Sequence, residues 1–356
     1  MKLKNKEKIK AVDFFCGGGG MSYGMQKSGI QVLAGIDYEE NCRATYEANI
    51  KKAKFIKADV FELKEKELEK TLELKRNDDD LLLIGCSPCQ FWSIINTDKN
   101  KSQKSKNLLV EFERFVQYFT PGYVVVENVP GVLRKKGESG LEKFINWLES
   151  NKYTVHFKVH NTSDYGVPQN RKRFTLIANR VTDKKIIPIK ANKKLTVRDV
   201  IGEKNGFIKI DAGHKDVTDF NHSAPNVSEL TLKRLERVEK DGGNRLSFAN
   251  DKNLQLNCFI DRDTSFKDTF GRLWWDKPSP TITTKFFSVS NGRFVHPEEN
   301  RALSIREGAT LQSFPKSYKF IGTSMGSIAR LIGNAVPPEY AKRVGQAIIK
   351  NHMDAI

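Results

Sequence analysis

The feature that most constrains this chain is an alternation of short apolar, strand-like segments with helix-like ones through its first half. Strand character falls at residues 10–15, 31–36, 54–58, 81–85, 123–126, 154–160 and 173–178. Helical periodicity falls at 21–27, 41–49, 63–74, 108–119 and 141–149, with Gly29 placed to stop the first helix. Strand, helix, strand repeated in this way predicts an α/β fold, a doubly wound and mostly parallel sheet covered on both faces. In such sheets ligands sit beyond the carboxyl ends of the strands, where the strand order reverses.

Near Val181 the pattern breaks. From there to about Thr284 the sequence is loop-rich, with one helix expected at 231–240 and a turn at Asp241-Gly242-Gly243-Asn244. The last stretch, 338–351, is an amphipathic helix. The organisation expected is a catalytic and cofactor-binding domain over 1–185, a smaller target-recognition domain with its hinge over 186–325, and a segment over 326–356 that returns to the first domain. The 356 residues carry 60 Lys and Arg against 43 Asp and Glu, a net charge of +17, which favours a polyanionic partner. Five cysteines, an odd number, argue against a disulfide framework. No signal peptide and no apolar run long enough to span a bilayer is visible, so a cytoplasmic protein without membrane contact is expected; separately, a monomer is expected.

The first strand runs into Phe14-Phe15-Cys16-Gly17-Gly18-Gly19-Gly20-Met21. Glycines between a strand and a helix let the backbone approach a ligand beside a helix N-terminus. Asp37 follows Gly17 by 20 residues, at the end of the second strand, where an adenosine site places an acid on the ribose hydroxyls. Asp59 ends the third strand and could face adenine. This pattern indicates an adenosine-containing cofactor without separating S-adenosylmethionine from NAD.

The fourth strand runs into Gly85-Cys86-Ser87-Pro88-Cys89-Gln90-Phe91. Strands one and four flank the switch point of a doubly wound sheet, so the glycine loop and Cys89 are expected to face one cleft. Cys86 and Cys89 could instead be a zinc half-site or a redox pair. No second such pair exists, and His156 and His160 lie far along the chain, so no metal is expected. The proline before Cys89 and the glutamine after it suit a rigid nucleophile loop. A thiol needs nearby positive charge to ionise, and Arg171 and Arg173 are candidates. Glu127 ends the fifth strand, where a buried carboxylate is costly unless it is paired or used. Arg171 and Arg173 are spaced to point the same way along a strand.

Together these segments resemble the DNA cytosine-5 methyltransferases of bacterial restriction–modification systems. The resemblance rests on the Phe-x-Cys-Gly-Gly-Gly-Gly loop, Pro88-Cys89-Gln90, Glu127-Asn128-Val129, Gln169-x-Arg171-x-Arg173, the 300–315 segment and Gly333-Asn334-Ala335-Val336-Pro337-Pro338, in that order. It covers residues 11 to about 346 and is weakest between about 202 and 270. Two departures are visible: Cys16 precedes four glycines, and Phe91-Trp92-Ser93 follows Gln90.

The resemblance implies a Rossmann-like S-adenosylmethionine fold and a role for each matching position. Phe15, Asp37, Tyr38 and Asp59 hold adenosine and ribose, with Cys16, Gly17, Gly19, Val60, Pro88, Asn334 and Ala335 completing the cofactor site. Cys89 attacks carbon 6 of a flipped-out cytosine, Glu127 holds or protonates N3, Arg173 binds the 2-carbonyl oxygen and Arg171 supports that loop. Gln90, Ser93 and Gln169 approach double-stranded DNA. The variable target reader corresponds to about 221–272, with Gly243, Asn244 and Arg245 as groove contacts and Trp274 and Trp275 as core. The Lys-rich run 98–107 is expected to close over DNA. A restriction endonuclease is the expected functional partner. Three rivals compete: a tRNA cytosine-5 methyltransferase, whose distinctive Cys-Phe-Thr triplet is missing here; an NAD-dependent oxidoreductase; and a catalytically dead DNA-binding protein.

Overall fold

The computed structural model describes residues 8–87, 107–135, 137, 139–260 and 265–355. The chain divides into two compact units. The first comprises residues 1–165, 172–191 and 335–356; the second comprises 166–171 and 192–334. The expected breaks after 185 and 325 thus fall at 191 and 334, and a six-residue stretch, 166–171, which includes the first part of the arginine motif, also belongs to the second unit.

The first unit is built on seven strands: β1 (Lys10–Phe14), β2 (Gln31–Asp37), β3 (Lys54–Lys57), β4 (Leu81–Gly85), β5 (Tyr123–Asn128), β6 (Thr154–Asn161) and β7 (Lys172–Asn179). Their order is β3-β2-β1-β4-β5-β7-β6. Pairing is parallel except for β7, which runs antiparallel to both β5 and β6. The order reverses between β1 and β4, so the segments leaving those two strands emerge side by side. Helices α1 (Gly20–Ser28), α2 (Arg43–Asn49), α3 (Glu65–Leu72), α4 (Leu108–Phe119) and α5 (Leu141–Ser150) fill the crossovers. The central strands read as continuous apolar runs because both faces are covered: all five residues of β4 and all six of β5 are buried.

On one face, Leu109, Phe112, Phe115, Val116 and Phe119 of α4 form a single buried stripe. They pack with Phe14, Leu83, Val124 and Val126. Each fully buried Phe contributes about 1.5–3 kcal/mol.

The second unit is irregular. It contains α6 (Glu229–Arg237), α7 (Ile305–Leu311) and α8 (Met325–Asn334), and beyond isolated bridges it has no strand among its described residues. Its core combines Leu235, Val238, Phe248, Phe270 and Val295 with fully buried arginines. Arg272 donates to the carbonyls of Leu235, Val238, His296 and Glu299. Arg301 forms a two-pronged pair with Glu307 at 2.7 and 2.8 Å. Trp275 is buried with its indole N–H on Glu298, while Trp274 lies under the Arg293 guanidinium. A final helix, α9 (Pro338–Ala355), returns to the first unit and packs on α1. No described helix is long and apolar enough to cross a membrane.

Candidate active site

The loop after β1 is shaped by backbone conformations that few residues adopt. Phe15, Gly17 and Gly19 have φ of 62°, 50° and 85°, and Gly19 forms the left-handed N-cap of α1. The Gly17 N–H donates to Asp37 Oδ2 at 2.8 Å, and the Glu39 N–H donates to Oδ1 at 2.9 Å. The acid at the end of β2 therefore ties the loop across the top of the sheet. Burial pushes its carboxyl above the usual carboxylate range, against the two backbone donors. Beside it Tyr38 is 65% exposed, a large ring left uncovered next to an acid. Asp59 accepts from the Phe61 N–H at 3.0 Å and Val60 is buried. A Cβ built at Gly17 would meet nothing within 4 Å, so the backbone there faces open space. Open backbone, an uncovered aromatic ring and an acid at the end of β2 fit an adenosyl group. The Cys16 thiol is buried and raised by burial, with Asp37 and Asp13 adding to the shift, so it is not a nucleophile.

Along the same strand ends, β4 and β5 carry the second group. The Cys86 N–H donates to the Phe14 carbonyl, which fixes the start of the nucleophile loop to the end of β1. Burial raises the Cys86 thiol well above its ordinary value, and Asp13 and Glu127 raise it further. Asn128 donates to Ser87 Oγ at 3.1 Å, and its own Oδ1 accepts from the Val129 N–H. Glu127 lies opposite Thr175 of β7, is 7% exposed, and pairs with Arg173 through Nε at 3.0 Å. The carboxylate expected to be paired or used is thus held by the arginine two residues into β7. Pro88, Cys89, Gln90 and Ser93 lie outside the described residues, as does the 98–107 run apart from Asn107.

The two arginines do not alternate along one strand as their spacing suggested. Arg171 precedes β7 and belongs to the second unit. It is 2% exposed and donates to the carbonyls of Ile282 and Gly333, both at 3.0 Å. Gln169 is likewise interior: its Oε1 accepts from the Ile282 N–H and its Nε2 donates to Gln312. Asn334 ends α8 and Ala335 begins the return to the first unit. Of Gly243, Asn244 and Arg245, expected at a groove, the first two are half-buried and Arg245 is buried. The Gly243 carbonyl accepts from the Arg272 N–H. Asn244 caps the next turn through the Leu246 N–H. Arg245 is 2% exposed, donates to the carbonyls of Ser265 and Phe266, and stacks on Phe259. Its charge is spent on the chain's own loops.

Among the described residues no cluster of three His, Cys, Asp or Glu could hold a metal. His160 is bonded to the Tyr165 hydroxyl, and burial lowers it to about 4. Sequence reasoning passed over Asp13, Ser22 and Tyr46, which are fully buried and hydrogen-bonded to one another beneath the glycine loop. A charged residue inside an apolar strand, Ala11-Val12-Asp13-Phe14, was the signal that could have found them.

Residues 9–350 match the family described as C-5 cytosine-specific DNA methylase. The Type II methylase M.HgiDII of Herpetosiphon aurantiacus is 36% identical over 343 residues, covering 95% of this chain and 94% of that protein. The Type II methyltransferase M1.HphI of Haemophilus parahaemolyticus is 31% identical, covering 95% and 86%. Among solved structures, a prophage-encoded protein of E. coli assigned as a DNA modification methyltransferase superposes with a TM-score of 0.73 at 21% identity, covering 96% of this chain and 99% of that one. The S. pombe Dnmt2 methyltransferase gives 0.59 at 16% identity, covering 98% and 100%. At such identities the structural matches speak for the fold.

Proposed function

The chain belongs to the C-5 cytosine-specific DNA methylases, enzymes that carry a methyl group from S-adenosylmethionine to carbon 5 of cytosine in DNA, and on that premise we propose that Cys89, Glu127 and Arg173 perform the chemistry. The reading displaces the oxidoreductase and tRNA alternatives, since the family match covers nearly the whole chain. The observation that carries the residue assignment is the pairing of buried Glu127 with half-buried Arg173 at the strand ends, one strand over from the segment that leads to Cys89.

Carbon 5 of cytosine is a weak nucleophile. Addition of the Cys89 thiolate to carbon 6, with a proton placed on N3 by Glu127, converts the ring to an enamine. Arg173 holds the 2-carbonyl oxygen and keeps the Glu127 side chain in position. S-adenosylmethionine supplies the methyl group that carbon 5 then accepts. Loss of the carbon-5 proton to a base and expulsion of Cys89 restore the aromatic ring. The base must leave the duplex for this, at a cost of a few kcal/mol. Phe15, Gly17, Gly19, Asp37, Tyr38, Asp59 and Val60 would hold the cofactor, with Ala335 contributing from the returning chain. Arg171 and Gln169 brace the arginine motif. The second unit chooses the DNA sequence, and its Arg245 supports that choice by fixing the 265–266 loop.

The relatives are named as Type II methylases, which supports a role in shielding host DNA from a partner endonuclease. The test is methyl transfer to plasmid DNA followed by bisulfite sequencing. Methylation at one short sequence, with a covalent adduct trapped on 5-fluorocytosine DNA and lost in Cys89→Ser, is expected. An adduct persisting in Cys89→Ser would sink the assignment of the nucleophile.

A further inference from the structure

Asp13 sits within β1, directly before the cofactor loop, and is completely buried. Its Oδ2 accepts from the Ser22 hydroxyl at 2.6 Å, and Ser22 Oγ lies 2.9 Å from the Tyr46 hydroxyl. Ser22 stands in the first turn of α1 and Tyr46 in α2, so three elements meet on this carboxyl. The meeting is built into β2: a Cβ at Gly35, the residue opposite Asp13, would fall 2.4–2.5 Å from the Tyr46 ring and hydroxyl. Oδ1 has no hydrogen-bond partner among the described residues.

The titratable groups around it carry one sign of charge. Asp37 faces it from β2, the Cys16 thiol from the loop, and the Cys86 thiol from the end of β4. Ser22 offers its hydroxyl and backbone N–H and Tyr46 a hydroxyl, and among the described residues no lysine or arginine acts on it. An unpaired carboxylate in such a place is costly, so the group holds its proton.

We propose that Asp13 couples cofactor binding to proton release: it gives its proton to solvent when the sulfonium cofactor binds above it, and recovers one once methyl transfer has removed that charge. The step is COOH to COO⁻ plus a solvated proton, with no other reactant. The positive charge that the site lacks is thereby brought by S-adenosylmethionine and taken away by its conversion to S-adenosylhomocysteine. Asp13 acts as a positioning and discriminating residue that favours the methyl donor over the spent product. Burial raises its carboxyl to about 7, where a small change of field shifts the protonated fraction most. The inference rests on the glycine loop being the cofactor site.

The test is isothermal calorimetry at pH 7 in two buffers of different ionisation enthalpy, with S-adenosylmethionine and S-adenosylhomocysteine as ligands. Wild-type protein is expected to release a few tenths of a proton more with the methyl donor than with the product. Asp13→Asn is expected to lose that difference while still binding both. Equal proton counts for the two ligands in the wild-type protein would overturn the proposal whether or not the variant folds. A difference that survives in a folded Asp13→Asn would overturn it too, by pointing to Asp37. Failure of the wild-type protein to bind either ligand would instead refute the cofactor reading.

Discussion

The pairing of Glu127 with Arg173 sets what each can do alone. The Glu127 side chain as a whole is 9% exposed and that of Arg173 13%, so neither is well screened by water. Glu127→Gln keeps the volume and the neutral hydrogen bonds but removes the proton donor. Methyl transfer in that variant should fall about 10²–10⁴-fold, with cofactor affinity retained, as read by single-turnover kinetics and calorimetry. Arg173→Ala leaves a buried carboxylate uncompensated and should cost on the order of 3 kcal/mol in urea denaturation, as well as activity. A variant that lost stability without losing rate would remove Arg173 from the chemistry. The two cysteines of the Cys-x-x-Cys pair were distinguishable in sequence only through the proline and glutamine flanking Cys89. The structure supplies the other half of that distinction, since Cys86 is half-buried beside two acids, and desolvation and their charge raise its thiol.

At the scale of elements, the parallel sheet was legible because its strands are apolar runs and its helices are amphipathic. Both periodicities survive any tertiary detail. Helix ends were less legible, for reasons the structure makes concrete. The helix expected over 231–240 is Glu229–Arg237, because buried Arg272 takes the carbonyls of Leu235 and Val238 and closes it early. Arg272 comes 35 residues later, and no local signal announces it. By contrast α7 was written in the sequence as Ser304-Ile305-Arg306-Glu307, a capping box that is fully formed. The site followed the same rule: the loop, Asp37 and Glu127 stood at strand ends, while the commitment of Arg245 and Gln169 to interior carbonyls depends on distant loops. One contact between elements is tested by Gly24 in α1, where a Cβ would fall 2.4 Å from both Ala341 Cβ and the Pro338 carbonyl oxygen of α9. Gly24→Ala should therefore lower stability by about 1–3 kcal/mol in thermal or urea melts, despite alanine's better helix propensity. An unchanged melt would mean that α9 yields easily.

For the whole molecule, two electrostatic populations behave differently. The first is internal. Glu307 is buried, which works against its ionisation, but the charge of Arg301 and its two hydrogen bonds outweigh this and hold the carboxyl well below the usual range. A depressed carboxyl lends stability above its unfolded value, near 4.3, and that stability is lost as pH falls below it. Urea midpoints should therefore drop between pH 5 and 3, and Glu307→Gln should flatten part of that slope. The second population is external. Among the described residues of the second unit seven arginines are buried, Arg272, Arg301 and Arg306 completely, and they are bonded within it. They count towards the +17 but cannot reach a phosphate. The lysines and the exposed arginines, Arg198, Arg237 and Arg330 among them, must then carry the attraction to DNA. Each phosphate neutralised adds about −0.9 to the slope of log K against log salt, so six to ten contacts would cost about 10³–10⁵-fold in affinity between 50 and 200 mM. Fluorescence anisotropy with a duplex over that range is expected to show such a slope. A slope shallower than about −2 would mean that the excess charge is general surface composition rather than a DNA-binding face. Affinity would then rest on contacts to the bases rather than to the phosphates.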